Sequence, residues 1–64
     1  MILHMKRQMV ITALKNGEFR IETSYQNRLG YWIILSTTIT QTFPMLAVSR
    51  VSGRDDFRIR VRAQ

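Results

Sequence analysis

Cysteine is absent from this chain, histidine and tryptophan occur once each, and only four residues are acidic, against ten lysines and arginines. The first two shortages leave no thiolate or histidine cluster to hold a metal and no nucleophilic triad. His4 lies near the terminus and is assigned no role. Asp55 and Asp56 are adjacent, but two carboxylates in one tight turn lack the further oxygen ligands that a hard cation needs; they read as a solvated turn that shields Arg54. The expectation is therefore a protein that is not an enzyme and uses no cofactor or metal. Missing cysteine, together with the lack of a secretory signal pattern, points to a cytoplasmic protein.

Charge is also missing locally: no acidic or basic residue occurs between Tyr31 and Ser49. Such a run has to be weighed as a membrane span. Its centre, Ser36-Thr37-Thr38-Ile39-Thr40-Gln41-Thr42, is too polar for a lipid-facing helix, and Pro44, the only proline, follows directly. Threonine-rich, β-branched sequence suits strands instead. No repeat, linker or low-complexity segment divides the chain, and residues 1–64 read as one small domain. A domain of 64 residues buries only about 60% of the surface its unfolded form exposes. With no disulfide or metal to add stability, a second copy of the chain is the cheapest source of further burial, and a homodimer is an expectation of the sequence.

What is present divides into strand-like segments separated by turn residues. Asn16-Gly17 suits the two-residue type I′ hairpin turn, where both residues take positive φ. Folding about it sets Lys15 opposite Glu18, Leu14 opposite Phe19, Thr12 opposite Ile21 and Val10 opposite Thr23. Val10, Leu14, Phe19, Ile21 and Tyr25 then share one face, with Ile11 set against Glu22 on the other. The competing reading is a helix over Ile2 to Leu14, since Ile2, Met5, Met9 and Ala13 recur at helical spacing. Gln26 to Gly30 is a second turn, and Tyr31 to Thr40 the longest strand, apolar on both faces as in a central strand or one covered by a partner. Met45 to Val51 reads as a fourth strand. Ser52-Gly53-Arg54-Asp55 then turns into a fifth, pairing Val48 with Ile59 and Leu46 with Val61. The fold expected is all-β: a five-stranded antiparallel meander forming a small open barrel or strongly twisted sheet, with room for an N-terminal helical turn.

The last of these segments carries the main functional signal. Phe57-Arg58-Ile59-Arg60-Val61-Arg62 alternates an apolar residue with an arginine, so that Arg58, Arg60 and Arg62 stand in a row outside. Their spacing, roughly 6.6 to 6.8 Å along a strand, is close to that of phosphates along a nucleic-acid backbone, about 7 Å. In the expected register Met45, Ala47 and Ser49 would flank the row. The formal net charge of +6 favours anionic partners. The cold-shock and RRM aromatic motifs, the GxxG loop, zinc-finger spacing and a two-helix DNA-binding pattern are all missing.

The expectation is a basic protein that engages DNA or RNA through Arg58, Arg60 and Arg62, supported by Arg50, Arg54 and Arg28. Trp32 would be placed to stack on a base. Four alternatives stand beside it. The arginines could serve only to stop edge-to-edge aggregation, although planar guanidinium forks suit phosphate or carboxylate better than the lysines more often used for that purpose. The row could dock on an acidic partner protein, as a small inhibitor or adaptor of phage or mobile-element type would. Trp32 could fill a core or dimer interface, and the uncharged middle segment could form a structural oligomer.

Overall fold

The computed structural model describes residues 6–64, so His4 and the start of the competing helix lie outside the described residues. Four strands and one helix follow in the order β1 (Arg7–Ala13), β2 (Phe19–Gln26), β3 (Trp32–Thr40), α1 (Met45–Val51) and β4 (Phe57–Ala63). They form one open sheet with strand order β3-β2-β1-β4. It is neither a five-stranded meander nor a closed barrel. β1, β2 and β3 are antiparallel neighbours, whereas β4 crosses over by way of α1 and pairs parallel with β1.

Met45 to Val51 is helical rather than a strand because of what surrounds it. Pro44 occupies the position before the first turn, where its missing N–H removes no helical hydrogen bond. Met, Leu and Ala follow, all good helix formers. Ala47, Val48 and Val51 are half-buried, one stripe at helical spacing, while Met45, Leu46, Ser49 and Arg50 are exposed. The pairs Val48–Ile59 and Leu46–Val61 are consequently not formed. The segment over Ser52 to Asp55 joins helix to strand instead of closing a hairpin.

The β1–β2 hairpin forms about Asn16-Gly17, but one residue away from the expected register. Leu14 N–H donates to the Glu18 carbonyl at 2.8 Å and Gly17 N–H to the Leu14 carbonyl at 3.1 Å, which makes a three-residue loop. Gly17 alone takes positive φ, +87°. Asn16 is held by its side chain: its Oδ1 accepts from Glu18 N–H at 3.0 Å and its Nδ2 donates to Glu18 Oε1 at 2.7 Å. A one-residue shift turns every side chain over. Ile11 thus faces Ile21, and Val10 faces Glu22. The β2–β3 turn repeats the design, with Asn27 N–H donating to the Tyr31 carbonyl at 2.9 Å and Gly30 at φ +90°.

The resulting sheet has an apolar face built from Met9 and Ile11 of β1, Phe19 and Ile21 of β2, and Phe57, Ile59 and Val61 of β4. Phe43, just before α1, meets Phe19 of this face edge-on with ring centroids 5.7 Å apart, so the crossover leads into α1 from this side. Ile11 is fully buried and Met9 6% exposed. They are the only buried apolar residues among those described, so the core sits on β1. β1 also has strands on both sides, secured at its ends by Arg7 N–H to the Asp56 carbonyl at 2.9 Å and Gln64 N–H to the Ala13 carbonyl at 3.0 Å. Among the described residues no helix is long and apolar enough to cross a membrane.

Candidate nucleic-acid interface

The face opposite the apolar one carries the arginine row. Because β4 pairs in register with β1, and β1 with β2 and β3 in turn, this face reads as rows running across the sheet: Arg62–Thr12–Arg20–Ile39, then Arg60–Val10–Glu22–Thr37, then Arg58–Gln8–Ser24–Ile34. Arginine lines one margin, mostly polar residues with Val10 among them fill the middle, and Ile39, Thr37 and Ile34 line the other margin, roughly three strand spacings of 4.8 Å away. The alternation at Phe57 to Arg62 is thus realised as a strand. Its neighbours differ from expectation: Met45, Ala47 and Ser49 are in the helix, and the row is flanked by Gln8, Val10 and Thr12 on one side and by solvent on the other.

Arg58, Arg60 and Arg62 are all exposed. Arg62 Nε donates to Thr12 Oγ1 at 3.3 Å, which steadies the side chain along the sheet. Thr12 is only 2% exposed although it belongs to this face. Arg62 and Arg20 flank it and cover it with their aliphatic stems. Glu22 is the one acidic side chain on this face among the described residues. It sits 3.3 Å from Arg20 Nε and not beside the row. That contact brings the charges together without the alignment of a hydrogen bond, and Arg20 Nε has no hydrogen-bond partner. None of the three β4 arginines makes an ion pair within the described residues.

Of the other predicted contacts, the structure brings one to the row. Trp32, at the start of β3, and Arg58, near the start of β4, line a shallow cavity of about 280 Å³ at one end of the sheet. Lys6, Arg7 and Phe57 line it with them, as do the carboxylate residues Asp55 and Asp56. Arg28 is exposed in the β2–β3 turn at the same end of the sheet. Arg54 lies in the link to β4 and is partly occupied by Asp56, 3.5 Å away. Arg50 does not join the site, since it belongs to the last turn of α1. Tyr25, expected on one face with Phe19 and Ile21, is half-buried on the apolar face of the sheet, opposite Arg7.

Lys6 and Arg7 are the cations that sequence reasoning did not assign to the site. Their placement depends on the parallel β1–β4 pairing, which sets Arg7 beside Phe57 and Gln8 beside Arg58. Two distant, individually unremarkable segments meet there, and neither carries a local signal of it. Comparison with protein-family models, curated proteins and solved structures finds no match in any of the three.

Proposed function

We propose that the chain binds nucleic acid through the open face of its sheet, with the phosphate backbone tracking Arg58, Arg60 and Arg62. A base would stack on Trp32, which lines the same cavity as Arg58 at one end of the sheet. The single observation that carries this reading is the exposed row of three guanidinium groups on one face of an edge strand, with no carboxylate paired to any of them among the described residues. Guanidinium forks bind phosphate oxygens bidentately, and the strand repeat of roughly 6.6 to 6.8 Å matches consecutive phosphates. The half-exposed indole beside Lys6, Arg7 and Arg58 supplies the stacking platform typical of single-strand binding, worth about 1 to 3 kcal/mol per base. Binding is electrostatic and weakly selective for sequence. The absence of cysteine fits a cytoplasmic setting for it.

The test is titration of single- and double-stranded DNA and RNA at two salt concentrations. Neutralising three phosphates gives a slope of log affinity against log salt near −2.1 for a single strand and −2.7 for a duplex, about 20- to 40-fold between 50 and 200 mM. No binding at the lower concentration would remove the proposal. It would leave an acidic protein, docked on the same row, as the partner to seek.

A further inference from the structure

The two edges of the sheet are treated in opposite ways. β4 presents an arginine at every second position, a standard guard against pairing with another strand. β3, the other edge, is nine residues long and contains no charge, no proline and no glycine. It is also the strand least covered by the rest of the molecule. Trp32, Ile33, Ile34, Leu35 and Ile39 are between 37% and 58% exposed, and every β3 residue from Trp32 to Ile39 is open to solvent. Among the described residues two apolar side chains are buried, while five large ones lie exposed on a single edge strand. An uncharged apolar edge about 30 Å long is where another strand adds.

We propose that the occupant is a second copy of this chain, joined β3 to β3 in antiparallel fashion about a two-fold axis. Charge restricts a second copy to this edge. Two copies that each carry +6 repel wherever basic surfaces meet, and the uncharged stretch from Tyr31 to Ser49 is where they approach without setting like charges opposite each other. The pairing makes one continuous eight-stranded sheet. It sends the two β4 rows to its far margins, seven strand spacings or about 34 Å apart, well beyond the distance of about 8 to 10 Å over which salt screens charge. Pairing of β3 with β4 of the next copy would instead grow without closing. A stable interface takes about 800 Å² from each partner, apolar at its centre; the strand edge supplies the backbone hydrogen bonds, Ile33, Ile34, Leu35 and Ile39 flank the seam on the two faces of the sheet, and Trp32, the first residue of the strand, is left outside it.

Sedimentation equilibrium over a wide concentration range tests the inference, with Ile34→Lys and Ile39→Lys as separate variants. Both positions are exposed in the single chain, so each variant should keep the wild-type circular dichroism. The expected result is a wild-type mass that rises to twice 7.6 kDa and stops there. Each lysine variant should shift the dissociation constant at least about tenfold, since charges would then be forced into the paired edge. Alternate β3 amides should gain hydrogen-exchange protection as concentration rises. A monomer at every concentration, open-ended growth, or a dimer indifferent to both substitutions would each overturn it.

Discussion

Asn16 and Gly17 show how a residue-level signal can be legible and still mislead. The pair marks a turn in the sequence, and the turn is there. The loop type depends on Asn16, whose side chain is held at both ends by Glu18, so that only Gly17 takes the left-handed conformation. That one-residue difference moved Ile11 from the outside to full burial. The alternating arginines were legible without such help, because a period of two has one meaning on a strand. Arg60 is the residue on which the binding proposal turns, being central in the row and free of carboxylate neighbours. Arg60→Glu is expected to lower the single-strand salt slope by at least about 0.7, the contribution of one phosphate. Its unfolding midpoint should stay at the wild-type value, since the side chain is exposed; titration and thermal denaturation of the same preparation check both halves.

At the scale of elements, the short segment Met45 to Val51 defeated pattern reading because a brief apolar run carries too few residues for its period to be resolved. Pro44 in front and the half-buried stripe of Ala47, Val48 and Val51 decide for a helix. β3 was legible as a long strand with two apolar faces; of the two readings this allowed, a central strand or one covered by a partner, the first is not realised, since β3 lies at the edge of the sheet with β2 as its one neighbour among the described residues. Stability is concentrated on β1. Ile11→Ala should cost about 2 to 5 kcal/mol, the usual range for emptying a fully packed site. That is a large part of the roughly 3 to 10 kcal/mol available to a domain of this size. Val61→Ala, in the same apolar row but 61% exposed, should cost well under half as much. Urea denaturation of the two variants measures the contrast.

For the whole molecule, the sequence did show a small β-rich domain with little core, and this shortage is what makes association measurable by stability. If a second copy supplies the missing burial, the thermal midpoint should rise with protein concentration, because mass action favours the folded dimer over unfolded chains. Ile34→Lys should flatten that dependence. Differential scanning calorimetry at several concentrations reads both. The crossover to β4 was not legible at all: the sequence contains no local mark of a parallel pairing between segments so far apart.

That pairing also sets an order of events. Thr12 and Arg62, hydrogen-bonded in the finished sheet, are 50 positions apart, so β4 can join only after the costliest loop closure in the fold. The hairpins about Gly17 and Gly30 close locally and much sooner. The arginines are therefore expected to be among the last side chains to find their neighbours, and the row flanked by Gln8, Val10 and Thr12 exists only once β4 has paired with β1. Binding through that face would act as an inspection of the fold, since a half-assembled chain has no such row to offer.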